Sequence, residues 1–395
     1  MHKGTVMSSV FRALLLLVSL CFAQHAFASC DPDGLQKSGS IYRICMPDGF
    51  SNGRLVIWAH GFQDAGTPVS IPEDQLCFAD LCLPELITSL GFAFATNSYS
   101  KTGLAVVQGM DDIRDLVNIF IEQKGPPERV YLTGASEGGL ITALLAEQYP
   151  DIFDAGVAAC GPVGNFSYQI DYFGDARVTF EYFWPGLIPG DPLHPPQSLI
   201  DVWSDYYDNV VGPTVMADRV RLAQWTAVAH LPFDRDDHDA TLEQSVRDVL
   251  RYAVVNLNDA VETIGAFPYG NMDTVYEGSR DDDALNAQVI RVAPERGALQ
   301  EMYRHYDTTG ALQVPLVTIH TTLDQQVPFN HERRYIRKVF LAGAGAEHEL
   351  FAYKRYGHCN FTSDEALGAF FEMLKLAGDF EQAQHVNEYR ARRNR

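Results

Sequence analysis

Ser136 lies in a sequence setting that suits a nucleophile. It is the centre of the motif Gly-Ala-Ser-Glu-Gly-Gly at residues 134–139, which follows a β-branched run and precedes a helical pattern. A serine on such a strand-to-helix turn projects its hydroxyl above the edge of a sheet, and the glycines let neighbouring backbone approach. The motif is common by chance, so the predicted strand–turn–helix context is what favours this interpretation over an incidental serine in a glycine-rich turn.

Two backbone amides are predicted to stabilise negative charge beside Ser136. The N–H of Glu137 would lie at a helix N-terminus, where developing negative charge is favoured. The segment His-Gly-Phe-Gln at residues 60–63 directly follows an apolar run, so its backbone reaches the same edge of the sheet. We assign the N–H of Phe62 as the second oxyanion donor. His60 is interpreted as a residue that organises this loop, rather than as a base.

A serine hydroxyl needs an imidazole to take its proton, and that imidazole needs a carboxylate to orient it. His358 lies in a glycine-containing loop after the last predicted strand, and Asp324 follows the strand before it. We predict that they are the base and the acid, in the chain order serine, aspartate, histidine that such sheets favour. A turn-capping role for Asp324 is the plainer alternative. Three other histidines compete as bases: His320, His331 and His348.

The elements that would position these residues alternate between β-branched runs and helical periodicity, which is typical of α/β proteins with a doubly wound, mostly parallel sheet. The predicted strands are residues 40–46, 54–59, 92–97, 129–133, 156–160, 316–320 and 349–353. The predicted helices are residues 72–90, 107–123, 137–148, 219–229, 242–256, 331–341 and 364–377. The basic tail at residues 390–395 is expected to be a frayed terminus.

The alternation stops between residues 165 and 314, which read as a mainly helical insertion after the sixth strand. The pattern therefore predicts a core in two parts, residues 29–164 and 315–395, with a lid formed by the insertion. Residues 166–184 contain eight aromatic side chains. They would either line a pocket or form the core of the lid, and we favour the second role for at least half of them.

The first 28 residues have the features of a signal peptide, with cleavage expected after Ala28. Lys3 and Arg12 supply positive charge ahead of the short apolar run at residues 13–23, and small residues occupy positions 26 and 28. This pattern predicts a secreted or periplasmic protein. Lipid attachment at Cys30 is a weaker alternative. The remaining chain has no apolar stretch long enough for a transmembrane helix, so stable membrane insertion is not expected.

Six cysteines remain after the predicted cleavage, an even number that favours disulfides in an exported protein. They are Cys30, Cys45, Cys77, Cys82, Cys160 and Cys359. The pairs close in sequence are Cys30 with Cys45 and Cys77 with Cys82. A zinc site is disfavoured because the spacing of the cysteines is not that of a zinc knuckle and no histidine pair lies nearby. We therefore predict no metal and no cofactor.

The net charge of the chain disfavours some classes of binding partner. The 395 residues include 30 basic and 51 acidic residues, which gives a net charge of −21. A field of this sign repels nucleic acid and anionic membranes, so neither is expected as a partner. The apolar fraction of 46% and the aromatic fraction of 11% exclude a disordered chain.

With these motifs the chain resembles secreted serine hydrolases of the α/β-hydrolase superfamily, over residues 54–163 and 316–377. The resemblance implies a carboxylic-ester hydrolase that forms an acyl-enzyme on a small-molecule or polymeric ester. A serine peptidase of the same fold that acts on short peptides is one alternative. A non-catalytic binding protein is another, although intact serine, histidine and aspartate disfavour it.

The cysteine directly after His358, Cys359, resembles an arrangement in the tannase and feruloyl esterase family. In that family a cysteine before the nucleophile is bridged to the cysteine after the histidine. This sequence departs from that pattern because Ala135 precedes Ser136. The resemblance suggests that Cys160, at the end of the adjacent strand, takes the missing role. A Cys160–Cys359 disulfide would then hold His358 over Ser136, and a pair of free buried thiols is the alternative.

Overall fold

The computed structural model describes residues 29–50 and 52–393, so the predicted signal peptide lies outside the described residues. Nine strands form one large sheet, and two more form a small hairpin. In chain order the strands are β1 (Ser29–Cys30), β2 (Gly34–Leu35), β3 (Ile41–Met46), β4 (Arg54–Ala59), β5 (Cys77–Phe78), β6 (Leu81–Cys82), β7 (Ala93–Asn97), β8 (Arg129–Ala135), β9 (Ala155–Ala159), β10 (Leu316–Leu323) and β11 (His348–Tyr356).

The large sheet has the strand order β1-β3-β7-β4-β8-β9-β10-β11, and β2 pairs with β3 outside this path. Strand β3 is antiparallel to its neighbours, whereas the strands from β7 to β11 are parallel. This order and orientation are those of the α/β-hydrolase fold, which confirms the predicted fold class. The carboxyl ends of β4, β8, β10 and β11 therefore meet at one edge of the sheet.

Helices cover both faces of the sheet, which explains why its central strands are nearly continuous apolar runs. In β4, for example, Leu55, Val56 and Ile57 are fully buried. The helices are α1 (Leu83–Ser89), α2 (Val106–Lys124), α3 (Glu137–Gln148), α4 (Phe166–Phe183), α5 (Gln197–Ile200), α6 (Trp203–Tyr206), α7 (Gly212–Ala217), α8 (Arg219–Val228), α9 (His238–Arg251), α10 (Leu257–Ile264), α11 (Asp282–Gln288), α12 (Arg296–His305), α13 (Asn330–Ala342), α14 (Ser363–Leu376) and α15 (Phe380–Arg393).

The connection from β9 to β10 contains helices α4 to α12, so a mainly helical insertion separates these two adjacent strands. Its aromatic side chains pack on one another: Phe180 lies 5.0 Å from Trp184 and 5.1 Å from Trp225 between ring centroids. Five of the eight aromatic residues at 166–184 are buried. The insertion therefore has an aromatic core of its own.

Two predicted elements differ from the observed ones. Residues 72–90 do not form one helix, because a single 3-10 turn (Glu73–Gln75) and the β5–β6 hairpin precede the short helix α1. The disulfide between Cys77 and Cys82 closes this hairpin. In the described part of the tail, α15 extends to Arg393 and packs against α14 instead of fraying. Ala383 and Val386 are its buried residues, and Arg390 bonds Asp364 at 2.9 Å.

The structure contains three disulfides, Cys30–Cys45, Cys77–Cys82 and Cys160–Cys359. The first two are the pairs that closeness in sequence favours, and the third is the pair that the family resemblance suggests, for which free buried thiols were the alternative. Among the described residues, no helix combines the length and the apolar character that a membrane span requires.

Candidate active site

Ser136 occupies a sharp turn between β8, which ends at Ala135, and α3, which begins at Glu137. Its φ of 57° lies in the left-handed region that residues other than glycine rarely adopt. The glycines are needed by close contacts: a Cβ on Gly138 would lie 2.0 Å from the carbonyl oxygen of Ala59, and one on Gly134 would lie 2.3 Å from that of Gly138. The turn is therefore built to hold a strained, projecting serine.

Asp324 and His358 are joined by a hydrogen bond of 2.8 Å from His358 Nδ1 to Asp324 Oδ2. The other carboxylate oxygen of Asp324 accepts the backbone N–H groups of Gln326 and Val327, each at 2.9 Å. Burial alone would raise the pKa of Asp324, but the attraction of His358 and the hydrogen bonds with His320 and His358 hold that pKa well below its usual range. Asp324 is therefore ionised and fixes the orientation of the His358 ring.

Ser136 and His358 both line a cavity of about 340 Å³. In the described part of the chain no hydrogen bond joins Ser136 Oγ to His358, and His358 Nε2 lies 3.5 Å from Cys359 Sγ. Catalytic hydrogen bonds are often long in unliganded structures. The structure thus brings the two side chains to one cavity, with the free nitrogen of the ring beside the Cys160–Cys359 disulfide.

The competing histidines do not line this cavity or the second one described below. His331 is fully buried and bonds Gln169 at 3.0 Å. His348 Nε2 lies 3.0 Å from Thr318 Oγ1. His60 is buried, stacks on Tyr99 with ring centroids 3.8 Å apart, and has its pKa lowered to about 4 by burial. These rings are therefore parts of the scaffold.

His320 is a buried neighbour of Asp324. Its Nε2 lies 3.4 Å from Asp324 Oδ2 and 2.9 Å from the carbonyl oxygen of Val327, and its Nδ1 lies 3.2 Å from Glu332 Oε1. Burial lowers the pKa of His320, but hydrogen bonds with the two carboxylates outweigh burial and raise it to about 10. His320 is therefore a cation that neutralises the buried carboxylates behind His358.

Phe62 and Glu137, the predicted oxyanion donors, both line a cavity that Ser136 also lines, and Phe62 lines the larger cavity as well. Glu137 is the first residue of α3, so its N–H has no acceptor within the helix. The Phe62 N–H has no acceptor in the described part of the chain. The side chain of Gln75 holds the Phe62 loop: Oε1 accepts the Gly61 N–H at 2.7 Å, and Nε2 donates to the Phe62 carbonyl at 3.4 Å.

The Glu137 side chain has a different environment from its backbone. Oε1 accepts the N–H of Ala105 at 2.8 Å, and Oε2 is buried without a partner in the described residues. Burial raises the pKa of Glu137 to about 8, and the nearby Asp259 contributes in the same direction. The carboxyl group is therefore mostly neutral at pH 7.

A second cavity, of about 100 Å³, lies on the side of the insertion and also contains Ser136 in its lining. Phe62, Ser136, Tyr252 and Gln326 line both cavities. Phe173 of α4 stacks on Tyr252 at 4.9 Å and closes part of this second cavity. Ser136 is thus flanked by two mainly apolar cavities, one against the insertion and one against α1 and α14.

Within residues 29–50 and 52–393, the one group with the proximity of metal ligands is Cys160, His358 and Cys359. The two sulfur atoms are joined in a disulfide and do not supply thiolates. The disulfide is therefore a covalent brace beside His358.

Sequence reasoning missed the positioning roles of Gln75 and His320. Gln75 lies in a segment predicted as a helix, and no motif marks its contact with the 60–63 loop. From the sequence alone, His320 has only the character of a rival base. Its position four residues before Asp324, on the strand that precedes the acid, is the signal that would have linked the two.

The chain has the α/β-hydrolase fold, and its candidate site is similar to those of the serine hydrolases of that superfamily. Residues 88–181, which include Ser136, match the model of the prolyl oligopeptidase family, Peptidase_S9. Two curated relatives are named feruloyl esterase B. The one from Talaromyces stipitatus is 28% identical over 53% of this chain and 59% of its own length. The one from Talaromyces funiculosus is 27% identical over 35% of this chain and 42% of its own length.

The chain therefore spans about half the length of the curated relatives it matches. Solved structures with related folds include an esterase from Pyrococcus furiosus, with a TM-score of 0.44 and 11% identity over 88% of this chain and 91% of the other. An acylaminoacyl peptidase from Pyrococcus horikoshii gives a TM-score of 0.42 and 12% identity over 84% of this chain and 37% of the other.

Proposed function

We propose that this protein is a carboxylic-ester hydrolase in which Ser136 is the nucleophile, His358 the base and Asp324 the acid. The observation that carries the proposal is the 2.8 Å hydrogen bond between His358 and a buried, ionised Asp324, made at the cavity that Ser136 also lines. An orienting carboxylate, an imidazole and a strained serine at one cavity are the parts that acyl transfer requires.

In the first half-reaction, Ser136 Oγ attacks the acyl carbon while His358 Nε2 accepts the hydroxyl proton. The N–H groups of Phe62 and Glu137 stabilise the oxyanion, and loss of one such donor typically costs about 3–4 kcal/mol of transition-state stabilisation. His358 then returns the proton to the leaving alkoxide as the ester bond breaks. In the second half-reaction a water molecule, deprotonated by His358, attacks the acyl-enzyme, and the acid leaves as the proton returns to Ser136.

The relatives named feruloyl esterase favour an ester over an amide substrate. The match of residues 88–181 to the prolyl oligopeptidase family keeps a peptidase as the second candidate, since the same catalytic groups cleave amides. The mainly apolar lining of both cavities favours apolar acyl or alcohol groups. The helical insertion, residues 165–314, is proposed to act as the lid over this site.

The protein is further proposed to be exported, on the strength of the signal-like residues 1–28 and of three disulfides that persist in oxidising compartments. Lipid attachment at Cys30 requires a thioether on its sulfur. The Cys30–Cys45 disulfide uses that sulfur, so the proposal is a free exported protein and not a lipoprotein.

A fluorophosphonate probe and two substrate classes test the proposal. Purified wild-type protein is expected to be labelled, and Ser136→Ala protein of equal melting temperature is expected to remain unlabelled. Hydrolysis of p-nitrophenyl esters with no hydrolysis of aminoacyl anilides supports the esterase. The reverse preference supports the peptidase, and a folded protein that neither reacts with the probe nor hydrolyses either class is a binding protein.

A further inference from the structure

The cavity on the side of the insertion contains polar groups that the proposed reaction does not use. Asn256 lines this cavity, is 8% exposed, and has neither its Oδ1 nor its Nδ2 paired within the described residues. Glu137 lines the same cavity with an unpartnered Oε2. An unpaired buried polar group is unfavourable, so two such groups in one apolar cavity indicate a site for a polar group of a ligand.

The backbone at Asn256 supports a role in binding. Asn256 ends a π-helical turn, Tyr252–Asn256, that lies between α9 and α10. Such turns are rare and occur frequently at functional sites. Tyr252, at the start of the turn, lines both cavities and donates a hydrogen bond of 3.1 Å to Gln326. The turn therefore presents Asn256 to the cavity from a segment that also borders the site of reaction.

The position of His358 indicates which half of an ester this cavity receives. His358 must protonate the leaving alcohol, so the alcohol lies on the side of the site that His358 lines. That side is the larger cavity, and His358 is absent from the lining of the smaller one. The smaller cavity is therefore left for the acyl group, with Ser136 at the boundary between the two.

The charges in the smaller cavity select a neutral group. Asp259 is occupied by the Leu104 N–H and by Lys101. Arg177, whose side chain is only 2% exposed, is paired with Glu181 at 3.1 Å. The raised pKa of Glu137 leaves its carboxyl group mostly protonated at pH 7. The cavity thus offers an amide that donates and accepts, together with a neutral carboxyl, and a hydroxyl complements both.

We propose that Asn256 is a specificity-determining residue that, together with the Glu137 side chain, binds a hydroxyl group on the acyl part of the substrate. This inference rests on the proposed function, because it assigns the acyl side of the same reaction. The hydroxyl supplies the hydrogen bonds that the two buried side chains lack. An acyl group with a methyl group in its place leaves them unpaired and is bound less tightly.

The test uses two matched series of p-nitrophenyl esters, from butanoyl to octanoyl, with and without a terminal hydroxyl on the acyl chain. Wild-type protein is expected to favour one or more hydroxylated members by kcat/KM. Asn256→Leu replaces the amide with an apolar group of similar shape. It is expected to lower the ratio of hydroxylated to plain kcat/KM by about tenfold to a hundredfold, as expected for buried groups left without partners.

Asn258→Leu is the matched control. Asn258 is two residues away, bonds the Pro195 carbonyl and does not line the cavity, so its replacement should preserve the ratio. Asn256→Leu should also melt no lower than wild type, because it removes unpaired buried groups. An unchanged ratio in Asn256→Leu, or a wild-type preference for the plain series throughout, overturns the inference while ester hydrolysis stands. Failure of both series together with failure of fluorophosphonate labelling overturns the proposed function and this inference with it.

Discussion

The disulfide between Cys160 and Cys359 ties the end of β9 to the residue that follows His358. Cys160 is fully buried beside the strand that leads to Ser136, because β8 and β9 are parallel neighbours. Both cysteines have positive φ, 48° and 50°, so each lies in a tight turn. The covalent bond thus fixes the loop of the proposed base to the strand beside the proposed nucleophile, across 199 residues of sequence.

Removal of this bond is expected to impair turnover more than binding. In C160A/C359A protein the His358 loop is free to shift, and a misplacement of about 1 Å costs about a hundredfold in rate. We expect kcat for a p-nitrophenyl ester to fall about tenfold to a hundredfold with little change in KM. C30A/C45A protein, which loses a disulfide at the far edge of the sheet, should melt at a lower temperature but keep its kcat. Equal kcat in both double variants would contradict the positioning role.

Asp324→Asn tests the orienting carboxylate. The amide keeps the shape of the side chain but no longer holds the His358 ring in the right tautomer, so kcat is expected to fall by about 10³–10⁴. Glu332→Gln is the comparison, because Glu332 bonds His320 rather than His358. It should reduce the free energy of unfolding while kcat stays within about tenfold of wild type. Steady-state kinetics and denaturant unfolding of both variants check this. Similar losses of kcat in the two variants would disprove that Asp324, and not Glu332, orients His358.

Gln75→Ala tests the loop that carries the proposed oxyanion donor. Without the Gln75 side chain the Gly61 N–H loses its acceptor, and the Phe62 amide is no longer held in place. We expect kcat to fall by about tenfold to a hundredfold, since a misplaced donor stabilises the oxyanion less. The neighbouring Gln63, whose amide donates to the Ser70 carbonyl, provides the control variant Gln63→Ala. A change confined to KM in Gln75→Ala would argue against this role.

Glu137→Gln should change how stability depends on pH. The folded-state pKa of Glu137, about 8, lies above the ordinary value of 4.5, because burial disfavours the charged carboxylate. The folded protein therefore retains this proton while the unfolded chain releases it, and stability falls as pH rises from about 4.5 to 8. Glutamine imitates the protonated side chain, so the stability of the variant should not fall over this pH range. Above pH 8 the free energy of unfolding of the variant, relative to that of wild type, should therefore be higher by about 1 kcal/mol or more than it is at pH 5. Thermal unfolding at pH 5 and pH 9 measures it, and a constant difference in melting temperature would refute the prediction.

Local patterns predicted much of the fold. The bounds of β4 follow from an uninterrupted apolar run. Those of α3 follow from the glycine-rich turn at which the helix begins and from Pro150, before which it ends. The partnership of Asp324 and His358 was also predictable, because each follows a late parallel strand and such strands end at one edge.

Features that no motif or strand end marks in the sequence were not predictable. Gln75 contacts a loop 14 residues earlier, and its segment has an apolar pattern that also suits a helix. Helix α15 has few apolar residues and is held by packing on α14 and by the ion pair of Arg390 with Asp364. The two cavities arise from side chains of the insertion and the core together, and periodicity carries no information on such shapes.

The crossover from β9 to β10 departs after Ala159 and returns at Leu316, while the register of those two strands is unbroken from Leu316 to Ile319. Ser136, Asp324 and His358 all lie outside this crossover, whereas Tyr252 and Asn256 lie inside it. The sequence of the crossover can therefore change during evolution, by single substitutions or by replacement of the whole segment, without disturbing the strands that carry the reactive groups. A laboratory graft of this segment between related hydrolases should therefore change the preference for the acyl group more than that for the alcohol, because Tyr252 is the one residue of the segment that lines the larger cavity.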